Sequence, residues 1–147
     1  MMERILQPAF CVVGREGATW DGPDFIPRLW QEANARFAEA SALEAQPLTL
    51  WGGMSACDHS FAPWEENFSR GLYLAGFEAL PGAQPPAGWV RWDFPGFEAL
   101  SVPEGDGAFA AGLAYLKEHG LSLAMAVQER TDPANGKTQL LFPIRRL

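Results

Sequence analysis

The chain has 147 residues, of which 48% are hydrophobic and 20% are charged, and this composition predicts one globular domain with its own core. Its 18 acidic and 11 basic residues give a net charge of −7, which argues against direct binding of nucleic acid, because that affinity comes largely from neutralised phosphates. No apolar run approaches the roughly 20 residues of a membrane span and the N-terminus lacks a hydrophobic signal core, so we expect a cytoplasmic protein that does not contact a membrane.

The first half of the sequence predicts the order strand, helix, strand, strand. Residues 5–15 are predicted to be a strand, because the run 10–13 is apolar and rich in β-branched residues. A helix is predicted from an N-cap at Asp24 to about Ala42. Two further strands are predicted at 48–55 and 71–80, on either side of a loop. The predicted helix has a buried stripe with helical spacing, made of Ile26, Leu29, Trp30, Ala33 and Phe37.

The second half predicts the same order after a joint at 81–88, which holds three prolines and two glycines. Residues 89–102 are predicted to be extended, with a kink at Pro95-Gly96. A second helix is predicted from about 106 to His119, where Gly120 can close it in a left-handed conformation. Strands at 121–130 and 138–144 complete the half, and the Asn135-Gly136 pair between them is typical of a hairpin turn.

The sequence therefore predicts an α+β domain made of two strand-helix-strand-strand modules, with halves at about 1–82 and 83–147. Two such modules would join their strands into one antiparallel sheet with two helices on one face. The seam between the halves would then form a cleft, a common place for a small-molecule site. The chain contains 6 Trp, 10 Phe and 2 Tyr, and because so many large rings are difficult to bury in one small core, we expect some to line that cleft.

The polar residues predict no metal or cofactor site. The two histidines, His59 and His119, are not accompanied by Cys or His at zinc-ligand spacing. Glu78 lies inside an apolar predicted strand, where a carboxylate is costly unless it is paired or hydrogen-bonded. It is either an exposed strand end or a cleft residue. Glu98 and Glu129 have the same two interpretations, and for them the strand end is favoured.

Five segments together resemble the GyrI-like effector-binding domain, which occurs alone and at the C-terminus of AraC- and MerR-type transcription regulators. The segment Tyr73-Leu74-Ala75-Gly76-Phe77-Glu78 is similar to the family's Tyr-x-x-Gly-Val-Glu, the most specific of the matches. The order and spacing of the segments agree with the doubled module. The other four are Phe10-Cys11-Val12-Val13-Gly14, Leu50-Trp51-Gly52, Pro86-Ala87-Gly88-Trp89 with Trp92-x-Phe94-Pro95, and Thr138-Gln139-Leu140-Leu141-Phe142-Pro143-Ile144.

The resemblance implies an aromatic cleft that takes bulky, planar and often cationic compounds. Family members typically pair the ligand's charge with a Glu in the last strand, but Gln139 stands at that position here. Leu141 and Ala99 stand where the family often has Tyr, so the resemblance implies a wider and less anionic pocket. The ligand-binding residues that we expect are Trp51, Tyr73, Glu78, Trp89, Trp92, Ala99, Gln139 and Leu141.

Three functions are compatible with the resemblance. The first is a stand-alone binding protein for small aromatic or cationic compounds. The second is a hydrolase of reactive cyclopropane-type genotoxins, in which Glu78 and Tyr73 would be the catalytic residues. The third is a protein-interaction module like the gyrase inhibitor that gives the family its name. Because alternate residues of a strand face opposite ways, Glu78 and Tyr73 would both reach the cleft only if a bulge occurs at Gly76.

Overall fold

Eight antiparallel strands form one sheet in the computed structural model, which describes residues 1–147. Helices α1 and α3 each contain 11 residues, whereas α2 is a single turn in which Glu66 and Asn67 have left-handed backbone angles. The strands are β1 (Glu3–Gln7), β2 (Phe10–Ala18), β3 (Leu50–Ser55), β4 (Leu72–Ala79), β5 (Val90–Phe94), β6 (Phe97–Pro103), β7 (Gln128–Asp132) and β8 (Lys137–Arg146). The helices are α1 (Phe25–Ala35), α2 (Glu65–Phe68) and α3 (Ala108–Glu118).

The two halves of the sheet exchange their first strands. The strand order is β1-β6-β8-β7-β3-β4-β2-β5, so that β1 lies on β6 of the second half and β5 lies on β2 of the first. The linkers Pro8-Ala9 and Pro95-Gly96 therefore join opposite ends of the sheet, which curls until they meet. A Cβ on Gly96 would lie 3.1 Å from the backbone nitrogen of Ala9, and this close approach favours glycine.

The outer face of the curled sheet carries both long helices. Helix α1 packs on β2 and β4, and α3 packs on β6 and β8. Each helix covers its own apolar cluster, centred on residues such as Leu29 and Phe77 under α1 and on Leu116 and Phe142 under α3. These features confirm the predicted fold class, with one antiparallel sheet and two helices on one face.

The inner face of the sheet encloses a third apolar cluster that is rich in aromatic rings. The rings of Phe10 and Trp51 stack with their centroids 4.2 Å apart, and the rings of Phe10 and Phe94 stack at 4.6 Å. Trp51 and Phe97 have no exposed surface. The aromatic residues therefore fill much of the concave face.

Three predicted elements differ from the structure because tertiary pairing overrides the local pattern. The predicted strand 5–15 is two strands, β1 and β2, interrupted at Pro8, which has no backbone N–H for a ladder. Helix α1 ends at Ala35 rather than near Ala42, and the following chain turns so that the carbonyl of Leu43 accepts a hydrogen bond from the N–H of Leu80.

The third difference concerns the strand predicted at 121–130, which is shorter in the structure and begins later in the chain. Strand β7 is Gln128–Asp132, whereas the prediction was 121–130. Residues 121–127 are apolar apart from Ser122 but follow an irregular path, in which the N–H groups of Ala124 and Ala126 donate to the carbonyls of Pro143 and Phe61. The predicted kink at Pro95-Gly96 is confirmed, because it separates β5 from β6.

Candidate functional site

The candidate site is the trough on the outer face of the sheet between α1 and α3, where Pro63, Trp64 and Phe68 of the segment before β4 also lie; we call this trough the seam. Its floor lies where the two halves meet, because β3 pairs with β7 there and Gly52 lies directly opposite Glu129. Met54 and Val127 continue the same floor toward one end. The seam is thus built from both modules.

A relay of two hydrogen bonds connects α1 to the floor of the seam. The indole N–H of Trp30 on α1 donates to Tyr73 Oη over 3.0 Å, and the Tyr73 hydroxyl donates to Glu129 Oε1 over 2.6 Å. Tyr73 is only 1% exposed, whereas Glu129 retains some exposed surface. The second oxygen of Glu129, Oε2, has no hydrogen-bond donor or basic side chain as a partner within the protein, so it is free to accept a group from a ligand.

Gly52 makes this relay possible because it has no side chain. A Cβ at this position would overlap both Tyr73 Oη and Glu129 Oε1. The tyrosine on β4 and the carboxylate on β7 therefore meet above the backbone of β3, which lies between their two strands. This close approach explains the glycine of the Trp51-Gly52 pair, which belongs to one of the segments that resemble the family.

Burial controls the protonation of both groups. Loss of solvent raises the pKa of Tyr73 well above its ordinary value, and the negative charge of Glu129 raises it further. Loss of solvent also raises the pKa of Glu129, with a smaller contribution from the nearby Glu104, although the hydrogen bond from Tyr73 acts in the opposite direction. Tyr73 therefore stays protonated as a donor, and Glu129 is a carboxyl group that gains from a positive partner.

An apolar cavity of about 180 Å³ opens next to this pair. At its mouth, Phe68 and Phe109 meet edge to face with centroids 5.4 Å apart, and their side chains are 37% and 39% exposed. The indole of Trp64 is held in the wall by a 2.9 Å hydrogen bond to the carbonyl of Leu72. The lining residues are Met54, Pro63, Trp64, Phe68, Phe109, Ala126 and Val127.

The eight residues expected to bind a ligand are divided between the two faces of the sheet. Tyr73 lies in the seam, and Trp89 lies on the same face but beneath the chain after α1, where its indole donates to Glu39. Tyr73 is therefore the one expected residue at the centre of the seam. The other six, which are Trp51, Glu78, Trp92, Ala99, Gln139 and Leu141, lie on the inner face.

The inner-face residues have partners of their own. Trp51 donates to Glu78 Oε1 over 3.1 Å, and Trp92 donates to Glu16 Oε1 over 2.7 Å. Gln139 accepts a hydrogen bond from Ser101 at 3.1 Å. A carboxylate at position 139 would thus face the inside of the curled sheet and would not reach a ligand in the seam.

The two residues considered for hydrolysis do not come together. Strand β4 pairs with β2 and β3 in a continuous register through Gly76, so no bulge occurs there. Tyr73 therefore faces the seam while Glu78 faces inward. A substrate in the seam would therefore lie on the opposite side of the sheet from the Glu78 carboxylate.

The residues that the sequence did not single out are Glu129, Trp30, Met54, Trp64 and Phe109. Trp30 was placed in the helix stripe, and Glu129 was given the same two interpretations as Glu78, with the strand end favoured. The useful signal would have been the glycine at position 52, since a missing side chain in a central strand marks a close approach of neighbouring groups.

No group of three or more His, Cys, Asp or Glu side chains is arranged to hold a metal ion. No helix combines the length and the apolar character needed to span a membrane.

Solved structures share this fold at low sequence identity. The EcmrR C-terminal domain superposes with a TM-score of 0.69 and 12% identity, over 100% of this chain and 98% of that chain. SAV2435 bound to tetraphenylphosphonium gives a TM-score of 0.65 and 10% identity, over 99% and 94% of the two chains. The integron cassette protein VCH_CASS2 of Vibrio cholerae gives a TM-score of 0.61 and 13% identity, over 98% of this chain and 95% of that chain.

The longer EcmrR chain in a complex with DNA also matches, with a TM-score of 0.70 and 13% identity, and this chain spans 58% of it. No protein-family model matches the sequence, and no curated protein matches it either. At these identities the structural matches establish the fold alone. The chain therefore has the fold that its sequence motifs predict, that of a GyrI-like domain.

Proposed function

We propose that this protein binds a small organic molecule in the seam, with an apolar ring in the cavity and a polar or cationic group beside Glu129. The observation that supports this proposal most strongly is the free oxygen of Glu129 next to an apolar cavity. A desolvated carboxylate without a positive partner is costly, and a cationic ligand would remove that cost. The Tyr73 hydroxyl, already bound to Oε1, would hold the carboxylate in position.

The size of the cavity restricts how the ligand would bind. A dry cavity of roughly 150 Å³ can hold one benzene molecule, and the volume here is about 180 Å³. One aromatic ring would thus enter the cavity, while the rest of a bulky ligand would lie in the open seam. Phe68 and Phe109 at the mouth would contact it there, since aromatic pairs contribute beyond the area that they bury.

The structural relatives agree with this proposal. One of them, SAV2435, was solved with tetraphenylphosphonium, a bulky cation with four phenyl rings. Another is the EcmrR C-terminal domain. Both likenesses favour a binding protein for small molecules, and the preference for an aromatic cation is our inference from Glu129 and the apolar cavity.

The experiment is a calorimetric titration of the protein with tetraphenylphosphonium chloride. We expect saturable binding that Glu129→Gln weakens by about tenfold or more, because a charge-assisted contact is lost while the side-chain shape is kept. The matched control is Glu98→Gln, which removes a carboxylate that pairs with Arg145 at 3.1 Å away from the seam. Equal affinities of wild type and Glu129→Gln would contradict the proposal.

A further inference from the structure

A second pocket lies at the end of the sheet where β2 begins and β4 ends, and its lining includes the inner-face residues Phe10, Glu78 and Phe94. Its volume is about 430 Å³, much larger than a single water molecule would occupy. Phe10 and Phe94 contribute to its lining, and their rings are nearly parallel, with an interplanar angle of 4°. Their centroids are 4.6 Å apart, so the rings are stacked on each other, and the pair forms an apolar part of the pocket wall.

One carboxylate in this pocket has no positive partner. Glu78 accepts the indole N–H of the fully buried Trp51 at Oε1 over 3.1 Å. Its second oxygen has no hydrogen bond, and no Lys, Arg or His side chain forms an ion pair with it. Asp93, the other acidic residue of the lining, is paired with Arg91 at 3.2 Å. Glu78 thus supplies the net negative charge of the pocket.

We propose that this pocket is a second binding site, which takes an aromatic cation such as an N-alkylated heterocycle. The ligand's ring would pack against the apolar lining beside Phe10, and its positive nitrogen would approach the free oxygen of Glu78. Trp51 holds the carboxylate from behind, so little side-chain freedom is lost on binding.

This site is independent of the seam. Glu78 and Tyr73 lie on the same strand but on opposite faces, and the register of β4 is continuous between them. Trp51, which reports on the second site, faces inward, while Trp30 contacts Tyr73 in the seam. The two sites can therefore be observed separately in one protein.

The test uses N-methylquinolinium as the probe and 1-methylnaphthalene as its uncharged isostere. The titration is followed by the NMR signal of the Trp51 indole N–H, which Trp51→Phe assigns by its disappearance. The Glu129→Gln variant is the background, because it disables the charged group of the seam. In that background we expect N-methylquinolinium to shift the Trp51 signal in a saturable way.

Adding Glu78→Gln to the Glu129→Gln background should weaken the binding of N-methylquinolinium by about tenfold. The affinity for 1-methylnaphthalene should stay unchanged. Glutamine still accepts the Trp51 N–H, so the fold should persist, and circular dichroism checks it. Equal affinity for the cation with and without Glu78→Gln overturns the second site, even where Glu129→Gln supports the seam. If the double variant does not fold, a wild-type titration without a saturable Trp51 shift overturns it as well.

Discussion

The hydroxyl of Tyr73 donates a 2.6 Å hydrogen bond to Glu129 across a glycine that leaves room for it. The two residues come from different modules and are 56 positions apart in the sequence. Their contact fixes a carboxyl group in the floor of the seam, with one oxygen satisfied and one oxygen free. The predictions below test this pair, its glycine and the cavity beside it.

The first prediction concerns stability and pH. Burial raises the pKa of Glu129 above its ordinary value of 4.5, so the folded protein holds this proton more tightly than the unfolded chain. Stability from this group is therefore fully present below pH 4.5 and is lost as pH rises through the folded pKa. Glu129→Gln should remove this loss.

Urea denaturation of wild type and Glu129→Gln at a series of pH values checks the prediction. We expect the difference in unfolding free energy to grow in favour of the variant as pH rises above 4.5. The same series on Glu98→Gln corrects for general effects of removing a charge. A pH-independent difference for Glu129→Gln would show that the carboxyl group is not perturbed.

The second prediction concerns the relay. Tyr73→Phe removes the hydroxyl that links Trp30 to Glu129 and leaves both groups without their partner. Loss of a buried partner costs about 1–3 kcal/mol. In a double-mutant cycle with Glu129→Ala, which removes the acceptor of the Tyr73 hydrogen bond, the two changes should be strongly non-additive. Additive losses would indicate that the hydrogen bond contributes little.

The third prediction concerns the glycine beneath the pair. Gly52→Ala should destabilise the protein by about 1–3 kcal/mol, as overpacking typically does, because the added methyl group overlaps Tyr73 Oη and Glu129 Oε1. Gly105→Ala is the matched control, since a Cβ there meets nothing within 4 Å. Thermal unfolding measures both, and equal melting temperatures for the two variants would refute the close approach at position 52.

The fourth prediction concerns the mouth of the cavity. Phe109→Ala removes the ring that meets Phe68, and an aromatic contact with a ligand is worth about 0.5–1.5 kcal/mol. Tetraphenylphosphonium should therefore bind about 2- to 10-fold more weakly. Leu6→Ala removes a side chain that is 66% exposed on the distant edge strand and should leave binding unchanged. If both variants weakened binding equally, the ligand would not bind at the mouth of the cavity.

Much of the fold could be predicted from the sequence because its periodicities are local. The apolar stripe of α1 and the turn residues after each strand place the elements in order. The exchange of β1 and β5 could not be predicted, since Pro8 and Pro95 indicate only a break in a strand. The partner across the sheet is decided by how the two linkers cross, and that is a long-range relationship.

The site was harder to predict from the sequence than the fold. The resemblance pointed to Tyr73, but strand alternation alone did not show which face would be open. Glu78 stood out because it interrupts an apolar strand, whereas for Glu129 an exposed strand end was the favoured interpretation. Only the pairing of Glu129 opposite Gly52 reveals that its carboxyl group is desolvated and meets Tyr73.

The most direct measurement is proton release on cation binding. A cation beside Glu129 favours the ionised form and lowers a pKa that burial has raised, so binding should expel a proton where the free carboxyl group is partly protonated. Titration of tetraphenylphosphonium across the acidic range, in pairs of buffers that differ in ionisation enthalpy, measures this proton. The account predicts buffer-dependent heats for wild type and buffer-independent heats for Glu129→Gln. Identical buffer dependence in the two proteins would contradict a role for Glu129 in binding.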